Sequence, residues 1–282
     1  MAGVMQVSIF TDEINPDSPK RALELAKEWG VTHVEIRSLP NGRFPAVPDD
    51  ELENFHSLVE GAGLRVSGVS PGFCKCAWDD RSVRHVLAEG LPRACEWARR
   101  WGTDLISCFA FDKSASGSVP SAVIDLVGEM SVISRRHGCR LVLENEAGCW
   151  GATGLEAAGI IRRVGCENLR LCWDPGNSCR AGSTCPYPEE YMRVRDLVSH
   201  VHMKGFDPVS GSWCLMDKGL VDWPGQIAAL SADGYAGFLV VETHVHISPD
   251  AFVVVDKDLC GQEENTLHNL TFVRSCLDKA TG

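Results

Sequence analysis

Eight short apolar runs, each followed by an amphipathic segment, fill the 282 residues and predict an α/β fold, a (β/α)8 TIM barrel with a parallel eight-stranded core. Two further observations favour it. Several runs are apolar almost throughout, as in Leu141-Val142-Leu143 and Phe238-Leu239-Val240-Val241, which suits parallel strands covered on both faces. No low-complexity linker divides the chain, so residues 1–282 are expected to form one domain. A doubly wound open sheet is the alternative, but no Gly-rich nucleotide loop follows the first run.

The expected strands are residues 5–10, 33–37, 64–70, 104–110, 140–144, 169–174, 200–204 and 238–242. The first helix shows its punctuation plainly. Asp17 or Ser18 can cap it, Pro19 takes the opening position, and Ala22, Leu23, Leu25, Ala26 and Trp29 supply apolar positions before Gly30. Similar segments cover residues 50–62, 81–101, 119–137, 154–164, 188–197, 224–232 and 263–278. The longest irregular stretches are residues 38–48, 111–118, 177–187, 205–222 and 245–262, and in a barrel such stretches form the functional face.

Composition excludes some classes. With 27 Lys and Arg against 38 Asp and Glu, the formal charge of −11 repels phosphate backbones, so nucleic acid is not an expected partner. No run reaches the roughly 18 apolar residues of a membrane span. Residues 1–10 lack a basic region and a full apolar signal core, so the chain is expected to be cytoplasmic. Thirteen cysteines lie scattered, many inside apolar runs, and are expected to be reduced and buried. Cys74 and Cys76 stand too close for a structural zinc site, and no disulfide framework is apparent.

Strands five to eight end in potential metal ligands: Glu144 in Leu143-Glu144-Asn145-Glu146, Asp174 in Trp173-Asp174-Pro175-Gly176-Asn177, His202 in His200-Val201-His202-Met203-Lys204, and Glu242 in Val241-Glu242-Thr243-His244. A carboxylate after an apolar strand needs a cation or a hydrogen-bonding partner. In a closed barrel these strand ends converge on one mouth. Three hard oxygen ligands and one imidazole suit one divalent ion, Mn²⁺ first, with Mg²⁺, Co²⁺ and Zn²⁺ as alternatives. His200 and His202 share a strand face, so one is a ligand and the other supports it or simply packs. Lys204, on the same face, can stabilise an oxyanion or pair with a strand-end acid. Asn177 is a candidate for contacting a substrate hydroxyl. So are Glu13, Glu35 and Arg37, for which paired structural ions are the other reading. His244 and His246 alternate after Glu242, and His244 is a candidate proton-transfer group.

These motifs resemble those of the sugar phosphate isomerase/epimerase family, the xylose isomerase-like barrels. The resemblance rests on Glu-Asn at strand five, Asp-x-Gly-Asn at strand six, His-x-Lys at strand seven and Val-Glu at strand eight. It extends to Gly219-Leu220-Val221-Asp222-Trp223 and to the Gly234-Tyr235-Ala236-Gly237 turn. It implies a metal held by Glu144, Asp174, His202 and Glu242, and an isomerase or epimerase passing a proton through an enediolate of a sugar or polyol. Glu144 and Glu242 would be the acid–base pair. The implied partner is a small carbohydrate, and a homo-oligomer is compatible with it. Where ketose 3-epimerases of the family carry Glu, His and Arg around the metal, this chain has Trp150, Asn177 and Pro208. Dehydratase and lyase relatives therefore stay open beside isomerases. An AP-endonuclease-type nuclease would need more than the nine histidines present and basic loops. A non-catalytic barrel would have no use for all four ligands.

Overall fold

The computed structural model describes residues 5–113, 117–245 and 258–281; His246 and most of the stretch after strand eight lie outside them. Eight parallel strands close into a barrel. They are β1 Gln6–Phe10, β2 His33–Ile36, β3 Arg65–Phe73, β4 Leu105–Cys108, β5 Arg140–Glu144, β6 Leu169–Trp173, β7 Val198–Met203 and β8 Phe238–Val241. The ring closes where β1 pairs on one side with β8, Ser8 opposite Val240, and on the other with β2, Ser8 opposite His33.

The outer helices are α1 Pro19–Glu28, α2 Asp49–Ala62, α3 Leu91–Arg100, α4 Ser121–Arg136, α5 Gly154–Val164, α6 Tyr191–Val194, α7 Trp223–Ala232 and α8 Gly261–Thr281. Their caps follow local chemistry. Ser18 accepts from the Arg21 amide with Pro19 opening α1, and Thr153 and Asp222 cap α5 and α7. The helix expected over residues 81–101 keeps helical dihedrals at His85, Val86, Gly90 and Leu91 but widens into a single π turn at Val86–Gly90 between Ser82–His85 and α3. Pro92 explains the widening, because it lacks an amide for the preceding turn and its ring crowds the carbonyl four residues back. The helix expected at 188–197 starts where Tyr187, just before Pro188, is extended, and ends early, at Val194, with residues 195–197 forming a turn into β7.

Alternation along the strands sorts side chains into two environments. Outward residues such as Leu143, Leu171, Val201, Met203, Leu239 and Val241 are buried against the helices in the main core. Inward residues form a separate small apolar cluster, Leu105, Val142 and Cys172, and a polar column. In that column Ser8 and Ser67 hydroxyls meet at 2.7 Å, Ser67 and Ser70 both donate to Glu35, and Ser107 donates to Ser70. Gly68 makes room for it, because a Cβ there would meet Leu105 at 2.7 Å and the Glu35 carboxylate at 3.3 Å. None of the thirteen cysteines forms a disulfide, and eight are buried. Among the described residues no helix is long and apolar enough to cross a membrane.

Candidate metal centre at the barrel mouth

Glu144 ends β5, Asp174 and Glu242 directly follow β6 and β8, and His202 points inward from β7. Their ligand atoms all lie within 4.8 Å of one another, and all four residues are buried. His202 Nδ1 stands 3.2 Å from Glu144 Oε1 and 4.0 Å from Glu242 Oε2, yet makes no aligned hydrogen bond. Its other nitrogen, Nε2, lies 3.0 Å from Glu35 Oε1. The ionised carboxylate of Glu35 can only accept, so Nε2 carries a proton, and once the imidazole is neutral the Nδ1 lone pair faces the three carboxylates. The environment keeps Glu35 ionised. Burial works against its charge, but His200 and His202 lower its pKa well below the usual carboxylate range.

The motifs on β5 and β6 interlock around this cluster. Asn145 accepts from the Asp174 amide at 2.9 Å and donates to the Asp174 carbonyl at 2.7 Å. Asn177 donates to Glu144 Oε1 at 3.2 Å and to the Asn145 carbonyl at 2.9 Å. Asp174 in turn caps the short helix Pro175–Arg180 by accepting from the Asn177 amide. Gly176 permits close passage of β7, since a Cβ there would lie 2.8 Å from Lys204 Cγ. Trp223 of the Gly-x-Val-Asp-Trp segment is fully buried and donates to the Lys204 carbonyl at 3.3 Å.

Lys204 is buried and bridges two of the carboxylates, 2.9 Å from Asp174 Oδ2 and 2.8 Å from Glu242 Oε2. Burial disfavours its charge, but Asp174, Glu242 and Glu144 raise its pKa well above the usual value. Arg37 links Asp12, Glu13 and Glu242 through one guanidinium. His244 places Nε2 2.8 Å from Glu242 Oε1 and Nδ1 2.9 Å from Glu13 Oε1. Its backbone, at φ 53°, is held by a hydrogen bond from its N–H to Glu13 Oε2. Burial opposes protonation there, but Glu242 and Glu13 lift its pKa to about 9. Near neutral pH this imidazole is therefore a cation and a proton donor, not a free base.

A cavity of about 120 Å³ opens above the cluster, lined by Glu144, His202, Lys204, Glu242, His244 and Arg37 among others. Of the residues expected to meet substrate, Arg37 faces this cavity. Glu35 and Asn177 are fully buried behind the ligands and orient them, and Glu13 is buried beside Arg37 and His244. The cavity also takes in Phe109, Lys75, Glu146, Arg180, Arg43 and Trp213. Sequence reasoning did not assign these to the site, because most come from loops whose spatial neighbours have no spacing signal. Glu146, two residues beyond Glu144, was the one with a positional hint. Trp150, at a position where 3-epimerases carry Glu, is buried.

A model of the xylose isomerase-like TIM barrel family matches residues 23–276. The chain belongs to this family. Solved structures place it among xylose isomerase-like barrels in fold. One is a xylose isomerase-like TIM barrel protein from Mycobacterium smegmatis in complex with magnesium, with 20% identity over 99% of this chain and 98% of that one, TM-score 0.72. A D-allulose 3-epimerase from Methylomonas, in complex with D-allulose, shares 17% identity over 97% of each chain, TM-score 0.73. A probable 3-DHS dehydratase of petrobactin synthesis from Bacillus anthracis shares 13% over 95% and 98%, TM-score 0.73. No curated protein sequence matches.

The cluster in this xylose isomerase-like barrel fits a divalent cation on its own chemistry. Burial, reinforced by Glu144 and Glu242 and opposed by Lys204, pushes Asp174 up to about 7, which expresses a crowding of carboxylates that one lysine does not relieve. The orphaned Nδ1 of His202 completes a set of three oxygens and one nitrogen. A second group, Glu13, Glu242 and His244, also has ligand atoms within 4.8 Å, but there Arg37 already supplies a cation.

Proposed function

We propose that this barrel is a divalent-metal-dependent isomerase or epimerase of a sugar or sugar-like keto compound. The observation that carries the reading is the buried convergence of Glu144, Asp174 and Glu242 on His202 Nδ1, which has no hydrogen-bond partner. Mn²⁺ is the first candidate ion, with Mg²⁺, Co²⁺ and Zn²⁺ as alternatives. A cation held there supplies Lewis acidity, lowering the energy of negative charge on a substrate oxygen.

The chain's own groups divide the remaining work. Glu144 on β5 and Glu242 after β8 both face the cavity and stand as the pair that removes and returns a proton beside the carbonyl. Lys204 can donate toward an oxyanion, and Lys204, His244 and Arg37 together keep Glu242 ionised against its burial. Glu35 fixes the His202 tautomer, and Asn177 orients Glu144. His244 supports a second reading, a dehydratase. As a cation beside Glu242 it can give its proton to a hydroxyl that leaves as water once the neighbouring C–H proton has been taken.

Incubating metal-loaded protein with ketoses, aldoses and polyhydroxy keto acids in deuterated water tests both readings by proton NMR. Isomerase or epimerase action incorporates deuterium at retained carbons, whereas dehydration yields an unsaturated or deoxy product. Glu144→Gln and Glu242→Gln should each lower exchange by about 10²–10⁴-fold. If both variants exchange near the normal rate while His244→Ala does not, the paired-glutamate mechanism is wrong.

A further inference from the structure

The floor of the cavity is acidic, but its rim is not. Arg43, Lys75 and Arg180 reach it from three separate loops, after β2, β3 and β6. Arg43 ends the small antiparallel pair Ser38–Leu39 with Gly42–Arg43. It donates to the carbonyls of Ser70 at 3.0 Å and Pro71 at 3.2 Å, and among the described residues no carboxylate lies within ion-pairing distance of it. Its seat is shaped for it. Gly72, at φ 75°, lies directly beneath, and a Cβ there would stand 2.9 Å from Arg43 Nη2. Lys75 and Arg180 share a single counter-charge, 3.0 Å and 3.6 Å from Glu146 Oε1. Lys75 also lies over the Phe109 ring and Arg180 over the Trp213 ring, which fixes both heads along the cavity wall.

Three cations against one carboxylate leave the rim two positive charges in excess, in a chain whose formal charge is −11. Arg37 and Lys204 do not add to that excess, because each has carboxylates of its own. A neutral sugar bound over the metal centre would leave the Arg43 guanidinium without an ionic partner. An acidic group would complete its fork and share Lys75 and Arg180. The local reversal of sign would also draw anions toward the mouth of an otherwise repelling protein.

We infer that the substrate carries an acidic group, a carboxylate or a phosphate, held by Arg43, Lys75 and Arg180 while its carbonyl end faces Glu144, Asp174, His202 and Glu242. This deepens the proposed metal-dependent reaction and rests on it for the orientation of the substrate. The rim itself can be tested without the reaction.

Calorimetric titration with inorganic phosphate, acetate and neutral glucose decides it, on metal-loaded protein and again after chelation, so that an anion held by the ion is distinguished from one held by the rim. Phosphate or acetate should bind in both forms and glucose far more weakly. Arg43→Gln and Lys75→Gln should each weaken the anion by about tenfold, the effect of one lost charge-assisted hydrogen bond. Added salt should weaken it further. Preference for phosphate assigns a phosphate ester, and preference for acetate a carboxylate. Anion binding untouched by either substitution, or no anion binding at all, overturns the inference. A protein that binds anions at the rim but takes up no divalent ion would sink the metal reading and leave the rim standing.

Discussion

The two ends of the barrel carry charge in different ways. At the N-terminal end lies the larger cavity, about 750 Å³, bordered by Arg65, Arg140, Arg195, Asp104 and Asp233. Arg140 meets Asp104 through two hydrogen bonds and Arg195 meets Asp233, with side chains between 30% and 48% exposed. Each of these four charges has an ionic partner and ample water. At the C-terminal end the cavity is about 120 Å³, yet Asp174, Glu144, Glu242, His202 and Lys204 are all at most 6% exposed. Charges that crowd together in a dry place are expensive to assemble. Volume alone would have pointed to the other end. Unrelieved charge marks the candidate site.

Three measurements would break or sharpen this contrast. The largest effect is expected at Glu35, which is not itself one of the four candidate ligands but holds His202 and His200 by their Nε2 atoms. Glu35→Gln should weaken divalent-metal affinity by about 10–100-fold, as loss of a partner behind a ligand typically does. Metal titration beside a melting curve checks this, and unchanged affinity in a folded variant would remove the tautomer argument. A smaller, graded effect is expected from pH. Asp174 sits at about 7, and although burial opposes it, Cys172, Glu144 and Glu35 raise His202 above its usual value. Both must lose protons to ligate, so metal affinity should rise as pH increases through about 7 and fall below it. The slope should be about tenfold per pH unit for each proton released. Competition with a chelator across that range measures it, and a flat profile would mean that neither group is protonated in the metal-free protein. The smallest effect belongs to the other end. Removing Arg140 and Asp104 together should cost only about 0.2–1 kcal/mol of stability. Metal affinity should stay unchanged, and a large loss there would contradict the division drawn between the two ends.

All eight strands were legible in sequence because a strand covered on both faces is an apolar run, and because its boundaries fall where the run meets Gly, Pro or charge. Helix boundaries were less secure where proline acts on its predecessors. Pro92 widened the helix at Val86–Gly90 inside a segment whose apolar spacing reads as continuous. The four residues that converge at the mouth were legible as candidates for a related reason, since a carboxylate or imidazole at the end of a buried run is chemically conspicuous.

What the chain determined by itself was thus periodic or terminal: the alternation of strand and helix, the caps at Ser18, Thr153 and Asp222, and the candidates at four successive strand ends. Tertiary structure decided which candidates face the cavity and which stand behind. Glu35 and Arg37 are two residues apart at the end of one strand, but Glu35 is drawn under His200 and His202 while Arg37 reaches the cavity. No local pattern separates them, because the difference lies in partners 165 and 205 positions away. The basic rim was hidden for the same reason. Arg43, Lys75 and Arg180 are ordinary loop cations in sequence, and only closure of the barrel brings three loops to one opening. Local physics writes the elements, whereas the balance of charge in a cavity depends on groups that the chain keeps far apart until it folds.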